Sequence, residues 1–104
     1  MPVQPIPEGY HTVTPYLIVK DARKAIEFYK KAFGATVLLC MDSEGKIMHA
    51  EIKIGDSPIM MAEEFPDMGY RSPLALGGTP VSIVLYVKDV DAMAAQAVAS
   101  TSLT

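Results

Sequence analysis

The chain has 104 residues, half of them hydrophobic, so it is long enough to bury the core of one small domain and is not disordered by composition. Its formal charge of −3 gives no basic surface for nucleic acid, and no apolar run approaches the roughly 18 residues that a membrane-spanning helix needs. The single cysteine, Cys40, allows no internal disulfide and therefore favours a reducing, cytoplasmic location.

The first third of the chain predicts an arm, a strand and a helix. Residues 1–11 contain three prolines and predict an extended arm. In residues 13–19, apolar Val13, Pro15, Leu17 and Val19 alternate with Thr14, Tyr16 and Ile18, which predicts a strand with two different faces. Asp21 is a suitable N-cap for the amphipathic helix that follows, and Gly34 is placed to end that helix.

Three further strands are predicted at residues 36–41, 46–54 and 58–62, because turn residues at 42–45 and 55–56 separate runs of β-type alternation. Residues 12–62 therefore predict a complete βαβββ module of an α+β fold. Residues 63–80 are rich in proline and glycine, and predict a long loop or hinge.

The last part of the chain repeats the first. Val87-Lys88-Asp89 follows an apolar run and opens a helix, as Val19-Lys20-Asp21 does. Residues 81–104 thus predict the first strand and helix of a second, incomplete module within a single domain overall. An incomplete sheet exposes strand edges and an apolar face, so we expect a homodimer, with a strand swap through residues 63–80 as one way of pairing.

Several short motifs in order resemble the vicinal-oxygen-chelate superfamily, which includes glyoxalase I, bleomycin-resistance proteins and extradiol dioxygenases. The details are most similar to its PhnB-like branch. The motifs are Glu27-Phe28-Tyr29-Lys30-Lys31-Ala32-Phe33-Gly34, Met48-His49-Ala50-Glu51-Ile52, Leu76-Gly77-Gly78-Thr79-Pro80 and Tyr86-Val87-Lys88-Asp89-Val90. The resemblance implies a mixed sheet that curls into a cup, here completed by dimerisation, with helices outside and a ligand inside.

Strand alternation then assigns the two faces of the sheet. Met48, Ala50 and Ile52 are expected to face the helix. The residues expected to face the cup and bind a ligand mix polar, aromatic and thioether groups, as in a small-molecule pocket. They are Thr14, Tyr16, His49, Glu51, Met60, Ser82 and Tyr86.

The resemblance also implies where a metal would be held in metal-dependent relatives, and the matching positions here are Thr14, Met60 and Ser82. Hydroxyl and thioether groups are poor ligands for Zn²⁺, Ni²⁺ or Fe²⁺. No cofactor is therefore expected at the standard site. A divalent metal bound by His49 and Glu51, together with residues from elsewhere, is the alternative.

Three functions follow as hypotheses. The first is a small-molecule-binding protein without the standard metal site, whose ligand is aromatic or amphipathic and, because of Glu51, cationic. The alternative is a metal-dependent lyase, isomerase or dioxygenase-like enzyme with a site assembled across the homodimer. A third is an interaction module with no ligand. No catalytic residue is assigned, and whether the chain is an enzyme stays open.

Overall fold

The structure, a computed structural model, describes residues 4–101. Residues 1–3 of the predicted arm and residues 102–104 of the predicted second module lie outside the described part. Its elements are β1 (Tyr16–Val19), α1 (Ala22–Phe33), β2 (Thr36–Ser43), β3 (Lys46–Ile54), β4 (Ser57–Glu63), a 3₁₀ turn (Pro66–Met68), α2 (Pro73–Leu76) and α3 (Val90–Thr101). The predicted α+β fold is confirmed, with β1 starting three residues later than the alternation indicated.

The four strands form one mixed sheet in the order β1-β4-β3-β2. β1 lies parallel to β4, whereas β3 is antiparallel to both β4 and β2. The β2–β3 connection turns at Glu44 and Gly45, whose φ angles of 53° and 82° fit a two-residue hairpin of type I′. A short turn thus fixes which residues of β2 and β3 lie opposite each other.

Helix α1 begins and ends where the sequence predicts. The Asp21 carboxylate accepts a hydrogen bond of 3.1 Å from the Lys24 backbone N–H, and Gly34 ends the helix in the left-handed conformation with φ 69°. The helix packs Ala22 and Ile26 against one face of the sheet. This packing leaves the opposite face of the sheet free of α1.

A bulge in β3 reverses one predicted assignment. Met41 pairs with His49, but Asp42 pairs with Ile47, so Met48 is the extra residue of a bulge. Ile47 is consequently buried in the core at 1% exposure, whereas Met48 is 50% exposed. The prediction that Met48 faces the helix was wrong because strict alternation does not survive a bulge.

Tyr29 joins the edge of the core beneath α1, and burial raises the pKa of its hydroxyl above the ordinary value. Since the folded pKa lies above the unfolded one, this hydroxyl costs no stability below about pH 10 and destabilises the fold increasingly as pH rises through the folded pKa. The Tyr29→Phe variant should therefore lose less stability than the wild type between neutral pH and about pH 10.5, measured by urea unfolding. Tyr86→Phe is the control, because Tyr86 is 97% exposed and should not show this effect. The prediction is contradicted if the wild type and Tyr29→Phe lose equal stability with pH, or if Tyr86→Phe reduces the loss as much as Tyr29→Phe does.

The second repeat forms its predicted helix, α3, whereas its predicted strand is not formed within residues 4–101 of the single chain. Asp89 accepts a 2.9 Å hydrogen bond from the Ala92 N–H at the start of α3, and the Gln96 amide donates to the Lys31 carbonyl of α1 at 2.8 Å. Residues 81–87 form neither strand nor helix. A β-type sequence becomes a strand only where a neighbouring strand supplies hydrogen bonds, and within residues 4–101 the β1 edge does not pair with this segment.

Within the described range, none of the helices combines the length and the hydropathy that crossing a bilayer requires.

Candidate functional site

The sheet face opposite α1 brings together residues from three strands. Tyr16 of β1 pairs with Met60 of β4, and Met60 pairs with Glu51 of β3. Directly paired residues on neighbouring strands point to the same side of a sheet. His49 lies two residues from Glu51 on the same strand and shares this side. We call this side of the sheet the open face.

A continuous chain of hydrogen bonds runs over the open face. The Tyr16 hydroxyl lies 3.0 Å from His49 Nδ1, and His49 Nε2 lies 2.7 Å from Glu51 Oε2. The Tyr10 hydroxyl, from the arm before β1, donates to Glu51 Oε1. The side chains of His49 and Glu51 are 25% and 14% exposed, so the middle of the chain is sheltered from water. We call these four residues, Tyr10, Glu51, His49 and Tyr16, the polar chain.

The direction of the polar chain follows from which groups can donate. Carboxylate oxygens only accept, so His49 Nε2 carries the hydrogen that it shares with Glu51. In the neutral imidazole Nδ1 is then an acceptor, and the Tyr16 hydroxyl donates to it. Glu51 therefore orients the ring of His49. The two oxygens of Glu51 each accept from a member of the polar chain, Tyr10 or His49.

Tyr16 also contacts the loop that follows β4. Its ring centroid lies 5.5 Å from that of His49 and 6.2 Å from that of Tyr70. Burial raises the pKa of the Tyr16 hydroxyl, and the neighbouring Tyr70 phenol raises it further. Tyr16 consequently keeps its proton through the neutral pH range and acts as a hydrogen-bond donor.

The loop at residues 64–72 is held by a carboxylate. Glu64 Oε2 accepts from the Ser72 backbone N–H at 3.1 Å and from its hydroxyl at 2.9 Å. These bonds from Ser72 lower the pKa of Glu64, with smaller contributions from Lys20 and Lys46. Phe65 and Tyr70 form an isolated β-bridge inside the loop. Part of the predicted long loop is thus ordered, and it holds Tyr70 beside Tyr16.

The structure brings four of the seven predicted ligand-binding residues to one place: Tyr16, His49, Glu51 and Met60. Thr14 is half-buried and directs its hydroxyl to the His11 carbonyl at 3.5 Å. Ser82 and Tyr86 lie exposed on segment 81–87 and take no part in the polar chain.

Sequence reasoning missed Tyr10 and Tyr70. Each stands in a stretch without periodicity, one in the arm and one in the long loop, so alternation gives no face to either. Their residue type was the only signal in the sequence. In the structure, three of the five tyrosines, Tyr10, Tyr16 and Tyr70, lie on the open face. An aromatic residue in an irregular segment therefore merits attention when the neighbouring sheet carries polar residues.

A second hollow of about 710 Å³ lies apart from the polar chain. The β3–β4 turn, the end of α1 and residues 83–87 line it, together with His11 and Met93. Its walls are mostly apolar, and Tyr86 is the one predicted ligand-binding residue among them. The described residues thus present two places where a small molecule could bind.

The three positions that the sequence resemblance implies for a metal carry no imidazole, carboxylate or thiolate group. Thr14 bonds the His11 carbonyl, Met60 offers only a thioether, and Ser82 lies on the exposed segment. Among residues 4–101, moreover, no group of three or more His, Cys, Asp or Glu side chains is placed to hold an ion.

The fold and the polar open face define a βαβββ domain of the kind that the sequence motifs resemble. A family model for the Glyoxalase/Bleomycin resistance protein/Dioxygenase superfamily matches residues 10–101. The chain belongs to this superfamily.

Two solved structures share the fold at 24% sequence identity. One is a gene product of Arabidopsis thaliana, with a TM-score of 0.69 over 88% of this chain and 73% of that one. The other is TioX from a Micromonospora species, with a TM-score of 0.63 over 86% of this chain and 70% of that one.

Curated relatives are more similar in sequence but give no activity. An uncharacterized protein of Mycobacterium tuberculosis is 45% identical over 84 residues, which cover 77% of this chain and 49% of that protein. An uncharacterized protein of Mycobacterium bovis matches equally well over 55% of its length. The chain spans about half the length of the curated relatives it matches.

Proposed function

We propose that the chain is a small-molecule-binding protein of its superfamily, in the PhnB-like branch, which works in the cytoplasm and binds its ligand on the open face without the standard metal. The observation that carries this proposal is the polar chain. A sheltered His–Glu pair joined to aromatic hydroxyls on one face of a sheet is typical of a ligand site.

The geometry favours binding over acid–base chemistry as the minimal function. The raised pKa of Tyr16 keeps its hydroxyl protonated, and because that hydroxyl already donates to His49 Nδ1, it offers an acceptor lone pair to a donor on a ligand. The oxygens of Glu51 are already engaged by Tyr10 and His49. A cationic ligand is therefore less strongly favoured, because hydrogen bonds within the polar chain already stabilise the negative charge of Glu51.

We further propose that a second copy of the chain covers the exposed apolar surface. All eight residues of β2 are exposed, including Leu38, Leu39 and Met41, and the edge of β2 is unpaired among the described strands. A β-type segment, 81–87, is also exposed. A homodimer that buries both would let Ser82 and Tyr86 reach the open face of the partner.

The proposal is tested by a thermal-shift screen of phenols, aromatic amines and aromatic acids. A ligand present at 100 times its Kd stabilises the folded state by about 2.7 kcal/mol, which raises the Tm of a domain this size by more than about 10 °C. His49→Ala and Glu51→Ala should each weaken binding at least about tenfold, since each removes a hydrogen bond to a sheltered polar group. Light scattering on the same samples should report a dimer.

Two control variants sharpen the screen. Glu27→Ala, on the exposed side of α1, and His11→Ala, on the second hollow, should leave the affinity unchanged. Unchanged binding in His49→Ala and Glu51→Ala, or loss of binding in His11→Ala alone, would remove the open face from the proposal. Stoichiometric Zn²⁺ or Ni²⁺ whose removal by a chelator abolishes binding would favour the metal-dependent alternative.

A further inference from the structure

The arm before β1 reaches the polar chain through one side chain. Within residues 4–101, the backbone of residues 4–15 bonds to the rest of the chain only where the Pro15 carbonyl accepts from the Met60 N–H at 3.0 Å. The other arm bonds, from the Tyr10 N–H to the Pro7 carbonyl and from the Thr14 hydroxyl to the His11 carbonyl, are local. Tyr10 is therefore the outer of only two anchor points.

Tyr10 makes its contact at a sheltered carboxylate. Its hydroxyl donates to Oε1 of Glu51, a residue 41 positions away, whose side chain is only 14% exposed. His49 takes the other oxygen at 2.7 Å. Each carboxylate oxygen keeps a second lone pair, but the Glu51 side chain is sheltered and both oxygens already have a donor. A ligand donor therefore reaches Glu51 most readily by taking the place of one of these two partners.

The two partners differ in how easily they leave. His49 is fixed in β3 and is held from its other side by Tyr16 at 3.0 Å, whereas Tyr10 belongs to a segment without strand or helix. Replacing Tyr10 disturbs no pairing between strands. The exchangeable partner of Glu51 is thus the phenol of the arm.

Resting on the function proposed above, we propose that Tyr10 occupies the ligand position in the free protein, and that the ligand is a phenol whose hydroxyl takes over the hydrogen bond to Glu51. The Tyr10 side chain shows that a phenolic hydroxyl reaches Oε1 in this fold. The same face also carries three rings, since the Tyr16 centroid lies 5.5 Å from that of His49 and 6.2 Å from that of Tyr70, and this aromatic surface suits an aromatic ligand.

The competition predicts an unusual mutational effect, in which removing a side-chain contact improves binding. The Tyr10→Phe variant keeps the ring and deletes the hydroxyl, so Glu51 Oε1 loses its internal donor while His49 keeps the other oxygen, and a ligand hydroxyl gains more at Oε1. A hydrogen bond to a charged group is strong enough to change a binding constant about tenfold. The populations of the two states lead to the same expectation. In Tyr10→Phe no hydroxyl occupies the ligand position, so a larger fraction of the protein is free to bind, and the apparent affinity rises.

The experiment measures binding of 4-ethylphenol and of 4-ethylanisole, in which a methyl group replaces the hydroxyl hydrogen, by titration calorimetry. We expect 4-ethylphenol to bind Tyr10→Phe about tenfold more tightly than the wild type, and 4-ethylanisole to bind both at least about tenfold more weakly than the phenol. The matched control is Tyr29→Phe, on the α1 side of the sheet, which should bind as the wild type does. Glu51→Ala, which removes the acceptor, should lose the preference for the phenol over the anisole.

A second measurement needs no substitution. Saturating the wild-type chain with 4-ethylphenol should speed amide hydrogen exchange in residues 4–15 at least about threefold, because the released arm keeps one anchor, Pro15. Equal or weaker phenol binding by Tyr10→Phe, or slower exchange in the arm, overturns the inference. If 4-ethylphenol fails to bind while another compound binds in a Glu51-dependent way, the phenol class is wrong and the proposed function stands. If no compound depends on Glu51 or His49, both fail.

Discussion

The Ile47→Ala variant is expected to lose about 3 kcal/mol of unfolding free energy, whereas Met48→Ala should lose less than about 1 kcal/mol. Ile47 is 1% exposed inside the core, so its truncation removes buried methylene groups and leaves a cavity. Met48 is 50% exposed as the extra residue of the bulge. The measurement is equilibrium unfolding in urea for both variants and the wild type.

Ile47→Ala and Met48→Ala form a matched pair, because strict alternation predicts that Met48 is buried and Ile47 is exposed, the reverse of what the structure shows. If β3 continued without a bulge, Met48 would join Ala50 and Ile52 in the core, and Ile47 would be solvated. A larger loss for Met48→Ala than for Ile47→Ala would therefore show that the bulge is absent and that the register of β2 against β3 differs from the one described.

The Glu63→Ala variant is expected to cost about 2 kcal/mol, because it orphans a buried backbone donor. The β3–β4 pairing starts at Ala50 and Met61, so no β4 carbonyl pairs with Ile47 across this ladder. The Glu63 carboxylate takes that place and accepts from the Ile47 N–H. Glu63 is buried, at 9% exposure, so water does not readily replace the lost acceptor.

Glu63→Gln separates the hydrogen bond from the packing. Its amide oxygen can still accept from the Ile47 N–H, so at least half of the loss seen in Glu63→Ala should be recovered in urea unfolding. A Glu63→Ala variant as stable as the wild type would contradict the role of this carboxylate in holding the bulge. An equal loss in both variants would show that the carboxylate charge, and not the acceptor atom, is what stabilises the site.

Local signals predicted the first module well because each of its boundaries has a local physical cause. Asp21 and Gly34 cap α1 through their own backbone and side-chain preferences, and the Glu44-Gly45 turn fixes the β2–β3 hairpin. The bulge at Met48 escaped prediction because the neighbouring Ile47 N–H donates to Glu63, sixteen residues from Ile47, and local sequence does not reveal this contact. Segment 81–87 pairs with no strand among the described residues, and strand formation depends on a neighbour that local sequence does not specify.

The candidate site was predictable to the extent that it lies on strands. Tyr16, His49, Glu51 and Met60 share a face by alternation and register, and they meet in the structure. Tyr10 and Tyr70 reach the same place from irregular segments, so only tertiary packing reveals them. The sequence suggested that Glu51 is free to contact a cationic ligand, whereas in the structure it already accepts a hydrogen bond from the Tyr10 hydroxyl.

The most direct test of the account is a backbone amide chemical-shift titration of the wild-type chain with 4-ethylphenol, because it asks where a small molecule binds without altering any residue. The account predicts the largest shift changes at Tyr16, His49, Glu51 and Met60, with smaller ones along the arm at residues 4–15. Largest changes at residues 54–59 and 83–87, which line the second hollow, would place the ligand there and contradict the assignment of the open face.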